Sequence, residues 1–277
     1  MRHLIAKQPH RALCRAGLAT LSLSAFATAG GIVDNFESYA AGTFPAANWQ
    51  DTGPISPTSL VPPPNPSCTV GTTLDAFGNP TQALHLDPSW VGSASGIYRA
   101  VPSDAAYSLR MDVRTDQFAT GATGNASDWP WMMGVSRFDA NTQAGGWNSL
   151  QMYGTDLSQD FRAYAIHSGG ADDFPLGVLM QSGVWYSVQI DVDATTGTIR
   201  NRIWNTASNA LLADATVTAS AWTAADGVFD VVTINQGEIS ATGSADTWID
   251  NVVVRVVPEP AALALLMLAG IALRRRG

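Results

Sequence analysis

Asp191-Val192-Asp193 sets two carboxylates on one face of a strand, because side chains on an extended chain alternate with period two. Paired carboxylates suggest glycoside hydrolysis, which in retaining enzymes wants them about 5–5.5 Å apart. This pair precedes the turn Ala194-Thr195-Thr196-Gly197 with no glutamate nearby to act as the acid, and it reads as solvated strand-end aspartates. Tyr164 and His167 could make an acid–base pair of the lyase type. Three residues apart on one strand, however, they point to opposite faces. His85 stands alone between Leu84 and Leu86, as a strand histidine does. No Cys/His set has zinc spacing. Neither a G-x-S-x-G elbow nor a phosphate loop is present. The expectation is a protein without a catalytic site.

Binding chemistry is better provided for. All nine tryptophans fall between residues 31 and 256. Trp185, Trp204 and Trp248 lie in strand-like sequence and read as packing residues. Trp129 and Trp131 flank Pro130, and Trp147 follows Gly145-Gly146, so these three read as loop residues. With Asp128, Asn148 and Arg137 beside them they form the candidate carbohydrate platform, with rings to stack on a sugar and planar groups to bond its hydroxyls. Calcium takes oxygen ligands from carboxylates and carbonyls. Asp34 and Glu37 near one end and Asp250 near the other would form a structural Ca2+ site if the first and last strands pair, with Asn35 as a further ligand.

The elements that must position these residues are strands. Leu109, Met111 and Val113 alternate with Arg110, Asp112 and Arg114, and Val184 to Asp193 does the same, which is the mark of a half-buried strand. Further candidates cover residues 32–36, 83–86, 96–101, 131–138, 149–153, 161–167, 198–205, 228–235 and 247–256, separated by Gly/Asn/Asp/Pro turns. Some eleven strands without helices predict an all-β fold, an antiparallel two-sheet jelly-roll sandwich with five or six strands per sheet. The segment 53–66, rich in proline, predicts an extended loop. Cys68 is the one cysteine of this region, so no internal disulfide is possible, and burial is the expected state of its thiol.

Asp34-Asn35-Phe36-Glu37-Ser38-Tyr39 near the start, Trp248-Ile249-Asp250-Asn251-Val252-Val253-Val254 near the end, and Gly183-Val184-Trp185-Tyr186-Ser187-Val188-Gln189-Ile190-Asp191 between them carry a resemblance. Together they look like the concanavalin A-like lectin/glucanase superfamily, in its laminin G-like branch. The resemblance implies a sandwich whose first and last strands lie side by side. It leaves function open, since that fold serves lectins, glucanases, lyases and adhesive modules. The glucanases of the fold carry a glutamate-rich motif (E-x-D-x-x-E). Residues 31–256 hold only Glu37 and Glu238, far apart, so a glucanase is not expected.

Both ends of the chain carry targeting chemistry. Arg2, Lys7, Arg11 and Arg15 precede an apolar run over 16–27, and Ala25-Phe26-Ala27 or Ala27-Thr28-Ala29 would suit a signal peptidase, so residues 1–29 read as a signal peptide. At the other end Pro258-Glu259-Pro260 leads into thirteen apolar or small residues and then Arg274-Arg275-Arg276. Thirteen residues are too few for an ordinary span of about 20, and the arginines would stay on the cytoplasmic side. This order of motif, apolar run and basic cluster resembles the PEP-CTERM sorting signal. The resemblance implies that residues 257–277 form a short transmembrane segment that anchors the protein transiently in the inner membrane until an exosortase cuts it.

The middle of the chain, 31–256, is expected to form one exported domain. It contains no lysine, and eight arginines face twenty aspartates and two glutamates. So acidic a chain excludes nucleic-acid binding through phosphate neutralisation. It suits cations or neutral sugars, and anionic polysaccharide only if the arginines cluster. The expectation is a non-catalytic surface or extracellular-matrix protein that binds or organises exopolysaccharide. A structural or adhesive matrix protein with a protein partner is the alternative, and a divergent polysaccharide hydrolase or lyase comes third.

Overall fold

The computed structural model describes residues 31–51, 68–86, 94–101, 106–120, 128–137, 148–227, 229, 231–238 and 245–256. The expected signal peptide (1–29), the expected sorting segment (257–277), the proline-rich stretch 53–66 and Trp147 lie outside the described residues. The strands in chain order are β1 (Ile32–Asp34), β2 (Gln50–Asp51), β3 (Cys68–Leu74), β4 (Pro80–Leu86), β5 (Ala94–Ala100), β6 (Ala106–Gln117), β7 (Asp128–Ser136), β8 (Ser149–Gly154), β9 (Asp160–His167), β10 (Gly170–Leu179), β11 (Trp185–Asp193), β12 (Thr198–Asn205), β13 (Ala210–Thr218), β14 (Val231–Glu238) and β15 (Asp246–Val256). The described residues contain no helix, hence none long and apolar enough to cross a membrane.

These strands build two antiparallel sheets, as expected, but with more strands. One sheet has eight strands in the order β13-β12-β11-β6-β15-β4-β3, with β1 paired to β15 beside this path. The other has seven, in the order β10-β9-β8-β7-β14-β5-β2. The first and last strands are neighbours, with Ile32 opposite Val254 and Asp34 opposite Val252.

The period-two pattern fills the space between the sheets. From β6 come Tyr107, Leu109, Met111 and Val113; from β11, Val188, Ile190 and Val192; from β9, Phe161, Ala163 and Ala165. Trp131, Phe36 and Phe229 are fully buried in the same core. Each large apolar side chain so buried contributes about 1.5–3 kcal/mol. Cys68 is wholly buried among them, as expected of its thiol.

One irregularity decides which side chains reach which face. Met132 lies opposite Asn235 and Trp129 opposite Gly237, so the two residues between them on β7 face one on β14. The extra residue is a bulge at Pro130, whose nitrogen has no hydrogen for the ladder. It shifts the alternation by one. Trp131 therefore turns inward, while Trp129 joins Met132 and Gly134 on the outer face.

Candidate functional site

The outer face of the seven-stranded sheet carries one row of residues in register from edge to edge, its side chains interrupted at Gly134. Cross-strand register places Gln50, Tyr98, Thr233, Gly134, Gln151, Tyr164 and Asp173 side by side on β2, β5, β14, β7, β8, β9 and β10. The next row includes Asn235, Met132, Tyr153 and Arg162. Trp129, Tyr153 and Tyr164 form a ladder of rings across three strands, edge to face, with centroids 6.3 and 5.8 Å apart.

Small residues make room for this arrangement. A Cβ on Gly237 would strike the Trp129 indole at 2.5 Å, and one on Gly134 would strike Gln151 at 2.6 Å. Gly96, at φ +155°, lies so close to β14 that a Cβ would meet the Asn235 backbone at 2.5 Å. The glycines let the large side chains of neighbouring strands lie down on the sheet.

Polar atoms on this face are buried without partners. Trp129 Nε1, Thr233 Oγ1 and Asn235 Oδ1 are inaccessible and have no hydrogen-bond partner among the described residues. Asn235 is only 3 % exposed. An unmade buried hydrogen bond costs about 1–3 kcal/mol, so three on one face are a local deficit that asks for an explanation. The rim is anchored instead. Arg162 donates to Asp173 at 2.8 Å and to Asp160 at 3.0 Å, and the bond to Asp173 raises its already high pKa. Burial, and then the Asp173 carboxylate, push the Tyr153 and Tyr164 phenols up, so both stay protonated donors.

The predicted platform is redistributed by the fold. Trp131 is 0 % exposed, and its indole N–H points at Met180 Sδ, 3.3 Å away, so it is core and not a platform residue. Trp129 belongs to the outer face, but on a strand rather than a loop. Asn148 is occupied, donating to Asp226 at 2.9 Å. Arg137 is exposed just beyond β7. Asp128 opens β7 opposite Glu238. Thr233, Asn235, Gln151 and Tyr164 carry the face, and only cross-strand register reveals that they are neighbours.

Of the three carboxylates expected to hold calcium, Glu37 and Asp250 share Thr81 Oγ1, at 2.6 and 3.4 Å, but Asp34 is engaged by donors of its own. Asp34 Oδ2 accepts from Tyr39 Oη (2.9 Å), Asn48 Nδ2 (3.1 Å) and Trp49 Nε1 (2.9 Å), and Oδ1 accepts from the Phe36 N–H. These four donors crowd a cation away from it. Glu37 is bound by Thr81 Oγ1 and the Gln82 N–H. Among the described residues no group of three or more His, Cys, Asp or Glu is placed to hold a metal ion, so the residues present do not fit the predicted calcium.

Asp250 has a different character. It sits where the partner of β15 changes from β4 to β1, beside the bulge that puts Asn251 at φ +51°. Burial, reinforced by Asp112 opposite and by Glu37, pushes its carboxyl up to about 7, although the Asn251 N–H opposes this. The folded protein therefore keeps a proton that the unfolded chain releases near pH 3.8. Asp250 thus supports stability fully at acid pH and loses that contribution as pH rises toward 7. Asp250→Asn is expected to flatten the stability profile between pH 4 and 7, as followed by urea unfolding. Millimolar calcium is expected to move neither protein's midpoint.

The remaining candidates resolve simply. His85 Nε2 meets Asp246 at 2.7 Å, and its ring stacks on Trp248 at 4.1 Å. Tyr164 faces outward and His167 inward, so they do not cooperate. Asp191 is about one-third exposed, and Ser108, Gln189 and Arg202 all donate to it.

No family model matches the chain, and no curated protein matches it either. Among solved structures it is similar to the VIP36 exoplasmic/lumenal domain in its Ca2+/Man3GlcNAc-bound form, with 9 % identity and a TM-score of 0.49 over 84 % of this chain and 92 % of that one. It is similar to the cellulose induced protein Cip1, with 17 % identity and a TM-score of 0.48 over 82 % and 97 %. A sialidase matches at 12 % identity and a TM-score of 0.48, with 83 % of this chain covering 19 % of that chain. The likenesses are too low to carry any inference about function.

Proposed function

We propose that this protein is an exported, non-catalytic polysaccharide-binding module, delivered to the cell surface or extracellular matrix through a C-terminal sorting signal that an exosortase cuts. The binding site in this reading is the outer face of the seven-stranded sheet. One observation carries it: Trp129 Nε1, Thr233 Oγ1 and Asn235 Oδ1 are buried without partners among the described residues, on the face that carries the Trp129–Tyr153–Tyr164 ladder, whose outer rings Trp129 and Tyr164 are half-buried and whose central ring Tyr153 is buried. Sugars offer what that face lacks, namely hydroxyls for orphaned donors and acceptors and C–H faces for rings. The acidic composition suits a neutral glycan here, because repulsion would deter an anionic one.

Polar groups kept for a ligand are a burden without it. Thr233→Val should therefore stabilise the free protein by about 1 kcal/mol, by removing an unpaired hydroxyl at constant shape. The same change should weaken binding of a neutral oligosaccharide, and Tyr164→Ala should weaken it about tenfold or more. The full-length protein would be titrated with cellohexaose, laminarihexaose and mannohexaose by calorimetry, beside urea unfolding of each variant. Binding unchanged in both variants, or no heat with any neutral glycan, would sink this reading.

A further inference from the structure

Five of the eight arginines of residues 31–256 stand on the outer face of the eight-stranded sheet: Arg110, Arg114, Arg200, Arg202 and Arg255. Three are committed. Arg114 pairs with Asp116 at 2.6 Å and lies between the Trp185 and Trp248 rings, at 5.1 and 5.9 Å. Arg200 pairs with Asp214 at 2.7 Å, and Arg202 pairs with Asp191.

Arg110 and Arg255 are left over. Neither makes an ion pair or a side-chain hydrogen bond among the described residues; Arg110 only rests over the Trp204 ring at 5.5 Å. Both line one open cleft of about 420 Å³, together with Ser108, Asp112, Gln189 and Asn251. Such a volume suits a small ligand or one unit of a polymer. Register explains why the two meet. Arg255 lies opposite Ser108, and Arg110 is two residues further along β6 on the same face, so the guanidinium groups are diagonal neighbours. No nearby carboxylate forms an ion pair with either among the described residues: Asp191 is paired with Arg202, and Asp112, which also lines the cleft, accepts from Ser187 and from Asn251 at 2.9 Å, so the two guanidinium groups outnumber the one unpaired carboxylate. Two adjacent unpaired guanidinium groups in so acidic a domain form a local anion site.

The rest of the lining narrows the ligand. Asp112 is an acceptor, and Gln189 and Asn251 carry amides, which suit hydroxyls rather than a bare inorganic anion. We propose that this cleft binds a uronate unit of an acidic polysaccharide, its carboxylate between Arg110 and Arg255 and its ring hydroxyls toward Asp112 and Gln189. The proposal rests on the carbohydrate-binding reading, but it uses the opposite face of the sandwich and the opposite charge. The protein would then join a neutral chain on one face to an acidic chain on the other.

The test uses full-length protein and three probes: oligogalacturonate, its fully methyl-esterified form, and dextran sulfate. Oligogalacturonate should bind, weaken with added salt, and lose about tenfold or more in affinity in Arg110→Gln and in Arg255→Glu. The neutral ester should bind at least tenfold more weakly than the acid. Equal binding of acid and ester, or oligogalacturonate affinity unchanged in both variants, would overturn the proposal. Dextran sulfate binding as tightly as oligogalacturonate would overturn the uronate assignment in favour of any polyanion. Circular dichroism checks the fold of each variant, and Arg255, exposed near the end of β15, is the safer of the two to change. Retention of neutral-glycan binding in Arg255→Glu separates failure of this cleft from failure of the other face. Loss of acid binding alone supports the cleft, whereas neutral binding abolished by Tyr164→Ala with acid binding intact supports both sites.

Discussion

Replacing Asp34 with alanine is expected to destabilise the protein by about 4 kcal/mol, as a buried charged hub does when removed. Asp34 is 5 % exposed, and four donors converge on it from Phe36, Tyr39, Asn48 and Trp49. Without the carboxylate all four must find water or stay unmade, and two of them, the Trp49 indole and the Phe36 amide, belong to buried residues. The segment 34–49 folds around this one side chain, so the expected failure is its release from the sheet edge. Asp34→Asn keeps an acceptor but loses the charge and should cost about half as much. Tyr39 gives an independent reading. Burial, then the bond to Asp34, raise its phenol to about 12, and in Asp34→Asn its titration should move down toward 10. Urea midpoints and a spectrophotometric tyrosine titration check both. An unmoved midpoint in Asp34→Ala would mean that the hub does not hold the segment.

Asp226 is the second hub, and Asp226→Ala is expected to cost about 3 kcal/mol. Asn148 Nδ2, the Ser168 N–H and Oγ, and the Thr223 N–H and Oγ1 all donate to it. It thus ties the residue leading into β8, the β9–β10 turn and the segment before β14. Burial disfavours its charge, yet the bonds from Thr223 and Ser168 outweigh that and hold the carboxyl down at about 2. A depressed carboxyl contributes stability that is present above its unfolded value of 3.8 and is lost as pH falls through about 2. The variant should therefore be weaker than the parent at neutral pH, with the gap closing between pH 4 and 2. A gap constant over that window would show that the charge is not what counts.

Much of the architecture is legible because interior strands alternate strongly. β6, β11 and β9 declare themselves by period two. The four strands that the pattern misses are β2, β3, β10 and β13, and these are the strands at the two ends of each sheet's main order. An edge strand has only one neighbour and buries less, so its apolar signal is thin. In β10, Pro175 and the Asp172-Asp173 pair read as a turn, yet an edge tolerates both. In β13 the inward positions are mainly Ala213, Ala215 and Val217, too small for a clear pattern.

The site is less legible, for a different reason. Thr233, Asn235 and Gln151 look like ordinary outward positions until register sets them side by side, and register is a property of pairs of distant strands. Trp129 and Trp131 read alike because they sit two apart. Pro130 is the signal that they part company, since a proline inside a strand marks a bulge and a bulge reverses the faces. The calcium expectation fails at Asp34, whose neighbours Tyr39, Asn48 and Trp49 supply donors that outcompete a cation.

The place of β15 in the sheet has a consequence for how the chain is made. β15 is the last of the described strands, yet it lies inside its sheet, holding β6 on one side and β4 and β1 on the other. The pair Ile32–Val254 closes a loop of roughly 220 residues, a costly contact to make early. The sandwich cannot close while its final strand is still being synthesised. Until then the eight-stranded sheet lacks the strand that joins β6 to β4 and β1. In a chain exported as proposed, placing the closing strand last would postpone closure of the sandwich until the membrane has been crossed.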